Sequence, residues 1–421
     1  MNSPAADIDR LANLRADFPT ITADEVYLDS VASSLTPMPV IEAMTEYYTR
    51  FRANIHRGTY DLSMRASERY DTAVRAVARF IGAHPEEIVF TQNTTHSINL
   101  VAHTLQWQPG DEIVLTSLEH TSNMAPWVRL GQTHGVALKW YNAGATGVVD
   151  ADTLVGMIGP RTKLVTVAYV SNALGTMLPV AEIGKACRER EVLFMIDAAQ
   201  AAPHVRLDVT GLNCDFMAFS GHKMLGPTGI GVLYLRRDLA YDLTPGMLGG
   251  GQIDTAACKC PSLDECSLDY CSFSDLPDKW QAGTPPIAEA FGLHAAIDYL
   301  EAVGLDAIAA HDKALMAKLV PGLRAIRGVT VYGPDDVSAF QSIVSFNLGD
   351  VPPDEVGRIL NERYRIGVRT GQHCAVNYFN EQLHHGGPAG SVRASVYLYN
   401  TDKEIDRTIG AVTEITAALV P

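Results

Sequence analysis

Near the middle of the chain a lysine stands among small and polar residues, in the segment Ser220-Gly-His-Lys223-Met-Leu-Gly-Pro-Thr-Gly-Ile-Gly231. It follows an apolar run, Asp215–Phe219, that reads as a buried strand, and it precedes another. A lysine at the end of a buried strand is costly unless paired or deprotonated. A lowered pKa turns its amine into a nucleophile that forms Schiff bases with carbonyl compounds. A surface lysine in a glycine-rich turn is the plain alternative, and spacing alone weighs the two about equally.

Asp197 ends the run Val-Leu-Phe-Met-Ile-Asp. A carboxylate at the C-terminal end of a buried parallel strand points into the crevice where α/β proteins bind ligands. Pyridoxal chemistry needs such a carboxylate to keep the pyridine nitrogen protonated. The alternative is an ordinary helix N-cap. Asn93-Thr94-Thr95-His96-Ser97 follows the apolar Ile88–Phe90 and opens a helical stretch. Hydroxyls and backbone N–H groups at a helix start can cradle a phosphate, and simple capping explains them as well. No G-x-G-x-x-G follows the first strand and no G-x-x-x-x-G-K-[ST] occurs, which weighs against a nucleotide site.

Of seven cysteines, four fall in the run Cys258-Lys-Cys260-Pro-Ser-Leu-Asp-Glu-Cys266-Ser-Leu-Asp-Tyr-Cys271. Four thiolates at this spacing can close round Zn²⁺ or an iron–sulfur cluster, although the common paired C-x2-C is missing. Thiols that relay sulfur or redox equivalents, and adventitious cysteines, are the competing readings. Cys187 and Cys214 read as buried and inert.

The positioning elements follow from the hydrophobic pattern. The runs Ile88–Phe90, Ile113–Thr116, Leu164–Val170, Val192–Ile196, Phe216–Phe219 and Ile230–Leu235 are nearly all apolar, as strands buried on both faces are. Ser97–Leu105 and Val180–Glu191 read as helices between them. This alternation predicts an α/β domain with a mostly parallel sheet. Residues 246–285 break the pattern, and a helix follows over Ile287–Leu300. After about residue 310 the texture is α+β. Strands are expected at Val329–Tyr332, Ile343–Phe346 and Ser395–Tyr399, a helix over Asp354–Tyr364, and a capping box at Thr401 and Glu404. The expected layout has three parts. An N-terminal segment, 1–25, packs on the small domain. A large α/β domain, 26–300, carries a Cys-rich insertion at 252–280. A small C-terminal α+β domain spans 301–421.

Composition narrows the function classes. The 421 residues are 47% apolar and 19% charged, which excludes a disordered chain. A net charge of −15 disfavours nucleic acid and anionic membranes as partners, yet allows a local basic pocket. The N-terminus lacks the apolar stretch of a secretory signal, and no apolar run approaches the ~20 residues that cross a bilayer. A cytoplasmic protein is expected, where clustered cysteines suggest metal or redox chemistry.

Taken in order, the motifs resemble the fold-type I, class V aminotransferase-like pyridoxal-phosphate enzymes. The similarity is greatest to SUF-type (group II) cysteine desulfurases and selenocysteine lyases. It runs from Tyr27-Leu-Asp-Ser to the last helix through His56-Arg57-Gly58, Thr94-Thr95, Glu119-His120, Val170-Ser-Asn172, Asp197-Ala-Ala-Gln200 and Ser220-Gly-His-Lys223. It continues through Ala282-Gly-Thr284-Pro, Arg369-Thr-Gly-Gln-His-Cys374-Ala and Arg393-Ala-Ser. The resemblance implies a Schiff base on Lys223, Asp197 at the pyridine nitrogen, Gln200 at the phenolic oxygen and His120 on the ring face. Thr94, Thr95, Ser220 and His222 would hold the phosphate, with Thr284 from a second subunit. Arg393 would clamp the substrate carboxylate with Asn172 nearby, and Arg369 would belong to the same substrate site. The Cys258–Cys271 run departs from the family pattern.

Cys374 is implied as the sulfur acceptor, and the chemistry asks for the same thing. Taking sulfur from a β-carbon requires an accessible thiolate, which Arg369 and His373 are placed to favour as positive charges. The expectation is a homodimeric lyase that converts L-cysteine to L-alanine and passes a persulfide to an acceptor protein. The alternatives are a selenocysteine lyase or other C–S lyase, and a non-enzymatic cluster-binding sensor or scaffold on the same fold.

Overall fold

The computed structural model describes residues 14–420 apart from 23, 255–258, 260, 263, 266, 385 and 388. Its larger sheet has seven strands: β1 (Ile88–Thr91), β2 (Glu112–Thr116), β3 (Ala137–Tyr141), β4 (Thr162–Ala168), β5 (Leu193–Asp197), β6 (Phe216–Ser220) and β7 (Gly231–Leu235). They lie in the order β1-β7-β6-β5-β4-β2-β3. Pairing from β3 across to β6 is parallel, and β7 runs against both β6 and β1.

The strands are apolar because both faces are covered. On one face α1 (Met38–Glu46), α2 (Asp61–Ile81), α5 (Val180–Glu189) and α6 (Ile287–Val303) pack with Val114, Val165 and Phe194. On the other, α3 (Thr94–Thr104) and α4 (Ala125–His134) pack with Ile113, Leu115 and Met195. Neighbouring residues go to opposite cores, as the two-residue period of a strand requires. Cys187 and Cys214 are buried free thiols. Burial pushes both up, Cys187 to about 12.

After α6, helix α7 (Leu305–Arg324) leads to a second, antiparallel sheet. Its strands are β8 (Val329–Tyr332), β9 (Ile343–Leu348), β10 (Arg369–Gly371) and β11 (Ser391–Ser395), ordered β8-β9-β11-β10. Helices α7, α8 (Pro353–Tyr364) and α9 (Asp402–Leu419) cover it. The capping box forms as read: Thr401 and Glu404 each accept from the other's backbone N–H. One strand differs from the reading. Pairing covers Ser391–Ser395 rather than Ser395–Tyr399, because Tyr397 and Tyr399 are held by ring packing on His204 and Phe18. Arg15 donates to the Tyr399 carbonyl and pairs with Glu404, while Asp17 accepts from Tyr299 in α6. Among the described residues no helix is long and apolar enough to cross a membrane.

Candidate active site

At the C-terminal ends of β4, β5 and β6 opens a cavity of about 260 Å³ lined by Ala168, Asp197 and Ser220. Lys223 reaches it from a 3-10 turn, Gly221–Lys223, that directly follows β6. That turn needs a glycine: a Cβ on Gly221 would lie 2.9 Å from Ile230 Cγ2. The lysine is half-buried, and desolvation pulls its pKa down to about 8 against the opposing charge of Asp197. Burial likewise raises the Asp197 carboxyl, offset by the Ala199 N–H at 2.9 Å and by Lys223. A carboxylate so enclosed favours a cationic hydrogen-bonding partner.

The start of α3 forms another wall. Asn93 Oδ1 caps the helix by accepting from the His96 N–H at 2.9 Å. The Thr94 N–H donates to Ser220 Oγ at 2.9 Å, and the two hydroxyls lie 2.7 Å apart. Thr95 Oγ1 and Ser122 Oγ share a hydrogen bond of 2.7 Å. Ser220, Gly231 and Thr91 occupy one rung across β6, β7 and β1. A Cβ on Gly231 would fall 2.5 Å from Asn93 Cα, so the helix start sits directly on β7. Hydroxyls at a helix N-terminus make an anion cradle.

His120 lines the same cavity. Burial, then Lys223 and the two arginines, pull its pKa down to about 3. Its Nδ1 accepts from the Ser122 N–H at 3.0 Å, which leaves the ring proton on Nε2. His222 is also held neutral, at about 4, mainly by burial. Gln200 donates through Nε2 to the Val31 carbonyl at 3.0 Å.

Arg369 and Arg393 face each other across β10 and β11. Arg393 is buried. Its Nη1 donates to the Asn172 carbonyl at 2.9 Å, its Nη2 meets Asp29 Oδ1 at 3.2 Å, and its Nε is left without a partner. A buried guanidinium with a donor to spare is ready for an anionic group. Cys374 is exposed and lines the cavity too. Asn172 turns its side chain to the His373 carbonyl, at 2.6 Å. His373 departs from the expectation: burial drives its pKa down to about 2, so it carries no positive charge beside Cys374.

One cavity thus gathers Lys223, Asp197, Gln200, His120, Thr94, Thr95, Ser220, His222, Asn172, Arg369, Arg393 and Cys374. Thr284 lies elsewhere, in a cavity of about 620 Å³ with His56, Arg57 and Asp278. Cys258, Cys260 and Cys266 fall outside the described residues. Cys271 is disulfide-bonded, so its sulfur is not a thiolate ligand here. Among the described residues no cluster of His, Cys, Asp and Glu is suited to a metal ion. Sequence reasoning missed Asp29 and the segment Ser33–Ser34, whose hydroxyls donate to the His222 carbonyl. Asp29 belongs to the Tyr27-Leu-Asp-Ser motif, which gave no hint of its contact with Arg393, and Ser33 and Ser34 lie just beyond that motif.

The aminotransferase class-V family model matches residues 26–408. A "Probable cysteine desulfurase" of Streptomyces coelicolor is 41% identical over 416 residues, 96% of each chain. In a structure of cysteine desulfurase from Thermococcus onnurineus NA1, 40% identical, 98% of that chain superposes on 97% of this one with a TM-score of 0.88. The cysteine desulfurase CsdA of Escherichia coli, 32% identical, superposes over 100% of both chains with a TM-score of 0.86. A lysine and an aspartate at the ends of neighbouring strands, and a match over nearly the whole chain, agree: the chain belongs to the class V aminotransferase family.

Proposed function

We propose that this chain is a pyridoxal-phosphate-dependent cysteine desulfurase that takes sulfur from L-cysteine onto Cys374 and releases L-alanine. The observation that carries the reading is one cavity lined by both the half-buried amine of Lys223, its pKa brought down to about 8, and the exposed thiol of Cys374. The relatives named as cysteine desulfurases support it.

The residues fit the cofactor. Lys223 offers an amine whose pKa burial has brought to about 8, and Asp197 a buried carboxylate suited to a pyridinium N–H. Thr94, Thr95, Ser220 and the start of α3 suit a phosphate. When bound, pyridoxal phosphate supplies an electron sink that weakens the bonds at the substrate's Cα and Cβ. Arg393, with its spare Nε, and Arg369 hold the substrate carboxylate. Lys223 Nζ accepts the Cα proton, which a near-neutral pKa permits at physiological pH. Neutral His120 keeps a proton on Nε2 to donate within the cavity. The Cys374 thiolate attacks the substrate sulfur. In net terms the Cβ–S bond breaks and an S–S bond forms. L-cysteine and the Cys374 thiol give L-alanine and a Cys374 persulfide, with no outside oxidant.

This reading includes a second copy of the chain. Thr284 lines a cavity apart from Lys223, so it serves a phosphate only by completing a neighbour's site. The persulfide on exposed Cys374 passes to a protein acceptor. For the Cys258–Cys271 run, metal and acid-labile sulfide analysis of anaerobically purified protein decides between a metal–thiolate site and the disulfide that Cys271 makes here.

Incubation with L-cysteine and dithiothreitol tests the main reading. Wild type is expected to release alanine and sulfide in equal amounts, and Cys374→Ala to lose nearly all of both. Sulfide release by Cys374→Ala at the wild-type rate would overturn it.

A further inference from the structure

The loop that carries Cys374 is held in a backbone conformation that its residues do not favour. His373 has φ +51° and Cys374 φ +58°, two consecutive non-glycine residues in the left-handed region. Such a conformation is disfavoured for a residue with a Cβ, and it persists only where its surroundings over-determine it. Here the surroundings do so. The His373 carbonyl accepts from Asn172 Nδ2 at 2.6 Å, and His373 Nε2 lies 2.9 Å from Ser391 Oγ. The Cys374 carbonyl accepts twice from one residue: the Thr121 N–H at 2.7 Å and Thr121 Oγ1 at 2.9 Å. Thr121 directly follows His120, which lines the cavity. The peptide bearing the thiol is therefore bolted to the wall of the cavity in which its sulfur must act.

We infer that Thr121 is a positioning residue for sulfur transfer: its hydroxyl, acting on the Cys374 carbonyl, fixes where the Cys374 sulfur stands relative to the substrate. The inference rests on the desulfurase reading. The N–H would survive any ordinary substitution, whereas the hydroxyl is removable. Without it the left-handed pair has one fewer restraint and can relax, and the sulfur samples positions from which attack is slower. A misplacement of about 1 Å is enough to slow such a step severely.

The test compares Thr121→Val, which keeps the shape and removes the donor, with Thr121→Ser, which keeps the donor. Thr121→Val is expected to lower kcat for alanine formation about five- to tenfold, the worth of one hydrogen bond, with KM for cysteine unchanged. Thr121→Ser is expected to recover most of that loss. The second readout is alkylation of Cys374 by iodoacetamide without substrate. A small reagent from solvent does not need the sulfur at one place, so Thr121→Val is expected to react at least as fast as wild type. A wild-type kcat in Thr121→Val would overturn the inference, as would alkylation slowed by the same factor as turnover. Both outcomes leave the loss of activity in Cys374→Ala untouched, so failure here is distinct from failure of the desulfurase reading.

Discussion

Glu119, next to His120, is fully enclosed. Its oxygens accept from Thr116 Oγ1 at 2.7 Å and Asn123 Nδ2 at 2.6 Å, yet burial raises its pKa to about 7. An acid whose folded pKa lies above its unfolded value keeps a proton that the unfolded chain has already released. Its contribution is therefore full below the ordinary value near 4.5 and is lost as pH climbs to about 7. Glu119→Gln carries no such titration. Its melting temperature is expected to gain on wild type between about pH 5 and pH 7 and then level off. A constant difference across that range, in parallel thermal melts, would show that the carboxyl does not titrate there. At this scale the sequence was readable where a residue type announces its chemistry, as Lys223, Asp197 and Cys374 do. Asp29, Thr121 and Ser122 were not, because their roles are contacts with Arg393, Cys374 and Thr95 that no local spacing encodes.

The elements that carry the site were legible for a physical reason. Strands buried on both faces are runs of apolar residues, and Phe216–Ser220 is one of them. The edge strand Ala137–Tyr141 went unread because it is half-exposed and carries Lys139. The longest described helix, Asp61–Ile81, went unread because alanines make up much of its inner face. Ser395–Tyr399 shows the opposite error: alternation that belongs to a strand arose from two tyrosines packed in a loop. At the junction of β7 and α3, Gly231→Ala would push a Cβ to 2.5 Å from the Asn93 backbone, which is not a side chain that can swing away. The helix start must shift. Fluorescence titration of the cofactor-free protein is expected to show pyridoxal phosphate bound about tenfold more weakly, with the sheet intact by circular dichroism. Unaltered affinity would mean that the cradle tolerates the shift.

At the scale of the molecule the two sheets are tied by a buried chain of polar side chains. His204, beyond β5, places Nδ1 2.6 Å from Asp312 Oδ2 in α7 and Nε2 3.1 Å from Ser342 Oγ before β9. All three are buried, and Tyr397 closes on the imidazole with ring centroids 4.7 Å apart. Removing one member strands the others without solvent. Asp312→Ala is expected to cost about 3 kcal/mol in urea unfolding, while the double variant His204→Phe with Asp312→Leu loses much less. Equal losses would show that packing volume, not pairing, joins the sheets there. The shared rung of Ser220, Gly231 and Thr91 has a consequence of another kind. Because β7 turns back between β6 and β1, the span from the lysine turn to the helix start is set by the repeat of main-chain hydrogen bonds. It works as a ruler cut into the sheet. Side-chain replacement can weaken what is held at either end, but only inserting or deleting backbone would change the length being measured.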